Sequence, residues 1–397
     1  MSTSLTKNAI APPSRYVSRW ASRITAPPPR VPLQRCGRTS YKTRMLLRFM
    51  QATLLSMLLP SFLLAQPTEA INRYHQTHHV PGMSVAVLQG GSIVYSEGFG
   101  SANLEHGVPV SPKTKFRIGS ISKTLTSVAL ARLWEMGKLD LDAPVQRYAP
   151  TFPEKRYPIT PRLLAGHLSG LPHYDEDDFV NTVHYESVTD ALRKFQDRPL
   201  LFEPGAQFFY SSFGWNLLSV VVEGAAGEDF LTHMQTRMFQ PLEMADTVAD
   251  RYAQIIEHRT DFYNVTEDGD SLNAVAIDNS DVWAGGGFLS TSEDLVRFAD
   301  GVLHGGFLEP KTVELLLSPM RTNAGETTEY GIGWGVWGLE GQRAVGHEGH
   351  HIGASAILMA LPESGLSVAI LTNTGNLELK PLAEFIARYY LELGSAR

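Results

Sequence analysis

The chain has 397 residues, 43% of them apolar and 19% charged, which allows a large buried core and is too rich in apolar groups for a disordered chain. Its formal net charge of −7 is spread unevenly: residues 1–65 hold ten Lys/Arg and no acid, so the remainder has 24 basic against 41 acidic residues, a net charge of −17. A body that acidic argues against a general nucleic-acid surface, and the single cysteine, Cys36, lies in the leader and leaves the body without a disulfide or a thiol nucleophile.

Residues 1–44 are rich in Ser, Pro and Arg and show no core pattern. Arg44 and Arg48 then introduce residues 45–65, an apolar stretch reaching Leu64 and Ala65, in the form of a secretory signal with cleavage after Ala65. Pro60, Ser61 and the short length weigh against a membrane span, an uncleaved anchor being the alternative. Met45 is an alternative start. The expected destination is export to a periplasmic or extracellular compartment. Mitochondrial import is the other reading, since an acid-free Arg- and Ser-rich leader suits it equally.

Beyond the leader, INRYHQTHH closes a short helix that begins near Pro67. GMSVAVLQGGSIVYSEGFG gives two β-rich runs joined at Gly90-Gly91, a hairpin. FRIGSISKTLTSVALARLWEMG is a helix opening at or just after Ser120, with apolar residues on nearly every face and therefore buried. Residues 139–275 alternate short helical runs with loops: 160–170, closed by Gly170; 187–197, with Ser187 as N-cap and Asp190 three residues on; 216–227; and DFLTHMQTRMF. Helices follow at 290–306 and 311–320. The period then changes, and EYGIGWGVWGL, QRAVGHEG, and ASAILMALPESGLSVAILTN with its turn at Pro362–Gly365 read as strands before a last amphipathic helix at 381–393. Strands at both ends of the body predict one α/β domain from residues 68–138 and 276–397, with a mainly helical domain, 139–275, inserted. There is no internal repeat, P-loop or dinucleotide fingerprint, and Gly285–Gly287 lacks the spacing of a phosphate cradle.

Three segments carry chemistry. At the positive end of a helix, Ser120 Oγ is placed where developing negative charge is favoured, and Lys123 at i+3 shares its face. A partly desolvated lysine has a lowered pKa and can take a serine proton. The alternative is Ser120 as a plain N-cap and Lys123 as a solvated surface group. In FEPGAQFFYSSFGWNLL, Tyr210 stands just before an apolar helix, either as a phenolate favoured by the Lys123 cation or as a core tyrosine among Phe208, Phe209 and Phe213. In GHEGHHIGASAILMALP, His347, His350 and His351 flank Glu348 without the H-E-x-x-H spacing and without cysteine, so neither zinc nor any cofactor is expected.

Together and in this order, these segments resemble the penicillin-recognising serine hydrolases: class C beta-lactamases, D-alanyl-D-alanine carboxypeptidases, related esterases, and the mitochondrial beta-lactamase-like branch with its bacterial relatives. The resemblance spans roughly residues 68–393. It implies the beta-lactamase/transpeptidase-like fold, an α+β type of α/β architecture with an antiparallel sheet flanked by helices. It implies Ser120 as nucleophile, Lys123 as its proton partner, and Tyr210 as the tyrosine of a Tyr-x-Asn motif that relays protons to the leaving group. Ser212 stands where many members have Asn, which shortens the reach toward a substrate amide. His347-Glu348-Gly349 occupies the Lys-Thr-Gly or His-x-Gly position: His347 would give a hydrogen bond or a proton, and Gly349 would admit substrate to the backbone. A backbone N–H near Ala354 would join that of Ser120 in an oxyanion hole. His167 falls in a structural turn beside the cleft, and Trp283 with Gly285–Gly287 matches a Gly-rich structural approach.

The implied activity is hydrolysis of peptide or peptide-like amide bonds through a covalent acyl-enzyme. Carboxylesterase or weak beta-lactamase activity is the nearer alternative, and a non-catalytic binding or filament-forming protein the more distant one. Expected partners are a peptide, amide or ester substrate, a membrane tether through residues 45–65, and a homo-oligomer or filament, but no nucleic acid.

Overall fold

The computed structural model describes residues 67–395 except 176, 177 and 179; the leader and its expected signal lie outside the described residues. In chain order come helix α1 (Pro67–Thr77) and strands β1 (Gly82–Gln89), β2 (Ser92–Asn103), β3 (Val108–Pro109) and β4 (Phe116–Arg117). Next are helices α2 (Ile121–Glu135), α3 (Pro161–Ala165), α4 (Ser212–Ala226) and α5 (Phe230–His233), and the short strands β5 (Val248–Ala249), β6 (Tyr263–Val265) and β7 (Ser271–Asn273). Helix α6 (Trp283–Gly286), strand β8 (Phe288–Ser290) and helices α7 (Ser292–Leu303) and α8 (Pro310–Leu317) lead into β9 (Gly335–Leu339), β10 (Gln342–His351), β11 (Ala354–Leu361) and β12 (Leu366–Thr372), and α9 (Lys380–Ser395) closes the chain.

Seven strands form one sheet in the order β3-β2-β1-β12-β11-β10-β9, antiparallel throughout. Its central strands are apolar at almost every position because both faces are covered. On one face Val85, Ile357, Met359, Val368 and Ile370 pack with Ile71 of α1 and Leu382, Ala383, Ile386 and Ala387 of α9. On the other, Ala86, Ala356, Leu358, Ala369 and Leu371 pack with Leu125 and Val128 of α2 and Leu295 and Phe298 of α7. Period-2 alternation sends successive side chains to opposite cores, and each fully buried Ile or Leu contributes about 2 kcal/mol.

Strand β10 outruns its neighbour. Its pairing with β9 stops at Gly346, whereas its pairing with β11 continues to His351. Residues 347–351 therefore have one open edge, and it abuts the start of α2: a Cβ on Gly119 (φ +48°) would meet the backbone of His350 at 2.7–2.8 Å.

Two helical stretches of the middle block are shorter than their patterns suggest, whereas the run expected at 216–227 begins earlier, at Ser212. The run at 160–170, capped by Thr160, ends at Ala165, and the chain turns through left-handed His167 (φ 59°) and Gly170 (φ 77°). Gly170 is required there, because a side chain would overlap the Phe202 carbonyl. The run at 187–197 is a single 3₁₀ turn, Asp190–Lys194, and the run after α5 is a π turn, Met234–Phe239. Among the described residues no helix is long and apolar enough to cross a membrane.

Candidate active site

Ser120 occupies the N-cap position of α2, yet its side chain makes no capping bond. Its Oγ instead lies 2.8 Å from Lys123 Nζ, whose amine also donates to the Gly285 carbonyl at 2.7 Å. Lys123 is fully buried, and no ion pair to it occurs among the described residues. Burial without a counter-charge holds the amine well below the ordinary lysine range. A neutral amine has one lone pair; with an N–H committed to Gly285, that lone pair is available to the Ser120 proton. The capping and solvated-lysine alternative is thus excluded by geometry. The other polar groups of this buried helix are satisfied locally, Thr124 by Gly333 O and Ser127 by Thr124 O.

Tyr210 is hydrogen-bonded to Ser120, and its ring lies 5.0 Å from Lys123 Nζ. Burial raises the phenol above its ordinary value, so it remains protonated. This corrects the expectation of a phenolate, which presumed a lysine cation that the buried site does not support. His167 braces the tyrosine from behind: the rings are 4.2 Å apart, and His167 Nδ1 accepts from the Ser211 amide at 3.1 Å. His167 is buried, and that burial keeps it neutral.

His347 lies at the cavity wall with both ring nitrogens engaged. Nδ1 faces the Glu348 carbonyl, which can only accept, so Nδ1 carries the hydrogen; Nε2 then accepts from the Tyr330 hydroxyl at 2.8 Å. Burial lowers its pKa to about 3. His347 is thus tied to Tyr330, a partner whose position no local motif announces.

Ser120, Tyr210, Ser212 and His347 line one cavity of about 410 Å³, together with His173, Tyr174, Gly285, Glu348 and His350. The Ser212 amide donates to His173 Nδ1 at 3.1 Å. Gly349 and Ala354 do not line this cavity. Gly349 has no room for a side chain, because a Cβ there would overlap the Ile118 carbonyl. Ala354 is buried as the first residue of β11, opposite His351. The main chain that reaches Gly119, next to Ser120, is that of His350. His351 is held by the Ile352 amide on Nδ1, and burial, with Arg117 adding to it, lowers its pKa to about 3. Among the described residues no three His, Cys, Asp or Glu side chains are grouped to hold a metal ion.

A serine whose proton faces a neutral buried lysine, in a cleft between a sheet edge and a helix start, defines a class of acyl-transfer hydrolase. Residues 68–390 match the family described as Beta-lactamase, and the chain belongs to that family as a serine acyl hydrolase. It is 33% identical over 429 aligned positions to the serine beta-lactamase-like protein LACTB, mitochondrial, of Homo sapiens, covering 80% of this chain and 78% of that protein. Among solved structures, the octameric penicillin-binding protein homologue from Pyrococcus abyssi shares the fold with a TM-score of 0.73 at 23% identity, covering 82% of this chain and 77% of that one. The D-amino acid amidase from Ochrobactrum anthropi SV3, complexed with L-phenylalanine amide, has a TM-score of 0.71 at 23% identity, covering 83% and 99%.

Proposed function

We propose that the chain hydrolyses peptide or peptide-like amide bonds with Ser120 as nucleophile. The observation that carries this is the buried Lys123 amine, 2.8 Å from Ser120 Oγ and anchored on Gly285 O. Lys123 removes the Ser120 proton as Oγ attacks the carbonyl. The backbone N–H groups of Ser120 and His350 hold the resulting oxyanion, His350 taking the place first expected near Ala354. Tyr210 gives its proton to the leaving nitrogen and is reprotonated from Lys123. In deacylation the same pair takes a proton from water and returns one to Ser120. A protonated phenol beside the nucleophile suits amides above all, because an amine leaves only when protonated, whereas an activated phenoxide needs no such help. The shortened Ser212 side chain and the neutral His347 both speak against a strong beta-lactamase.

The test is turnover of a matched panel: amino-acid amides and short peptides, carboxylic esters, and a chromogenic cephalosporin. Amide and ester hydrolysis lost in Ser120→Ala is expected; cephalosporin turnover exceeding both would overturn the substrate class. For the leader, likeness to a protein described as mitochondrial supports the import reading over export, and the distribution of a reporter carrying residues 1–65 in a cell with mitochondria decides between them.

A further inference from the structure

Two cavities meet at the wall made by Tyr210, His347 and Glu348. The one holding Ser120 measures about 410 Å³; the other, about 240 Å³, is lined on its far side by Glu329, Trp337 and Lys380. Since Tyr210 lines both and is the phenol bonded to Ser120, a leaving group that takes its proton from Tyr210 meets this shared wall.

The charges at that wall do not balance. No Lys or Arg lines the larger cavity. Its aspartates are already engaged: Asp178 pairs with Arg198 at 3.0 Å and Asp281 with Lys194 at 2.7 Å, and Asp278 is hydrogen-bonded to His184 at 2.9 Å. The imidazoles of His173 and His347 are kept neutral by burial, at about 4 and about 3. Glu348 alone is unlike these, since no ion pair or side-chain hydrogen bond to its carboxylate occurs among the described residues, although it lines both cavities. The nearest candidate counter-charge in the smaller cavity, Lys380, has its ammonium over the Trp337 ring, 4.4 Å from the centroid, with no carboxylate within ion-pair distance. Strand geometry accounts for the arrangement: Glu348 lies opposite Ile357 in the β10–β11 ladder, on the α9 face, at the open edge of β10 where β9 has already ended.

We infer that Glu348 is a specificity-determining residue, selecting amides and esters whose leaving group is uncharged or carries an amine and disfavouring a carboxylate next to the scissile bond. This rests on the acyl-hydrolase reading of Ser120 and gives it a direction: the site cleaves primary amides, or peptides at an internal or amine-bearing position, and does not remove a C-terminal residue. A substrate carboxylate at this wall would meet an uncompensated like charge in a half-buried place where water screens it incompletely.

The test uses the full chain and three phenylacetyl esters differing only in the meta substituent of the phenol: carboxylate, carboxamide and aminomethyl. Each kcat/KM is divided by the rate of the same ester with hydroxide, which removes leaving-group reactivity. The expected order is aminomethyl, then carboxamide, then carboxylate. Glu348→Gln should compress the aminomethyl-to-carboxylate ratio by about tenfold, the scale of one partly screened charge contact. The carboxamide ester, measured in each variant, reports whether the site is intact. A parent that prefers the carboxylate ester, or an unchanged ratio in Glu348→Gln, overturns the inference while leaving Ser120 standing. A preference for the carboxylate ester that disappears in Lys380→Met also overturns it, because Lys380 would then be the reader of charge. If no ester leaves an acyl group on Ser120, the nucleophile assignment and this inference fall together.

Discussion

Lys123 is a base because it is buried without a partner, and that has a measurable cost. Its folded pKa lies below its unfolded value of about 10.4, so as pH falls through the ordinary lysine range the unfolded chain takes up a proton that the folded protein refuses. Stability from this group is therefore complete above that range and declines below it until the folded pKa is reached. Lys123→Met should abolish turnover, and its melting temperature relative to the parent should rise as pH is lowered from 10 to 7. A constant difference would mean that the amine is charged in the fold. Tyr210 titrates in the other direction, its phenol held protonated by burial. Tyr210→Phe should lower amide turnover by about 10²- to 10⁴-fold and nitrophenyl ester turnover far less; comparable losses on both would remove it as proton donor.

At the scale of elements, the site exists because β10 runs beyond β9 and meets the turn before α2. Gly349 lets the strand close on Ile118, and Gly119 lets the turn close on His350. Gly349→Ala should destabilise the fold by about 1–3 kcal/mol in urea unfolding and slow acylation, since it pushes His350 away from Ser120. That Ser120 and Lys123 would share a face at a helix start, and that Tyr210 would stand before a capped apolar helix, is readable in the sequence because the signal is local. The roles of Gly349 and Ala354 are not. They depend on a neighbour, Ile118, far away in sequence, and on the residue at which β10 stops turning inward. The strand continues through both His350 and His351 before Ile352-Gly353 turns it, and nothing local separates a strand histidine from a loop histidine. Tyr330 was invisible for a similar reason, since its partner His347 lies across a strand connection. The 160–170 helix was overread because apolar spacing persists where left-handed His167 and Gly170 already break the backbone.

At the scale of the whole molecule, distant stretches of chain are tied together beside the cavity by one buried pair. Arg117 of β4 bonds Asp250 at 2.7 Å and the Ile352 carbonyl at 3.0 Å, while Asn279 donates to Asp250 at 2.8 Å. Breaking such a pair from one side leaves a buried charge. Arg117→Met should therefore cost about 3 kcal/mol, discounted by the Arg259 and Asn279 contacts to Asp250 at 3.3 and 2.8 Å; a loss below 1 kcal/mol would show that these two suffice. The sheet built from both ends of the body was legible in the alternation of its strands, whereas this tie was not, because ion pairs between remote segments leave no periodic trace. Every level converges on the Ser120 hydroxyl, and intact-mass spectrometry with a reactive ester probe reads it directly. The parent protein should gain one acyl group, mapped to the peptide containing Ser120, and Ser120→Ala should gain none. Equal labelling of both proteins, or an adduct on another residue, would contradict the assignment.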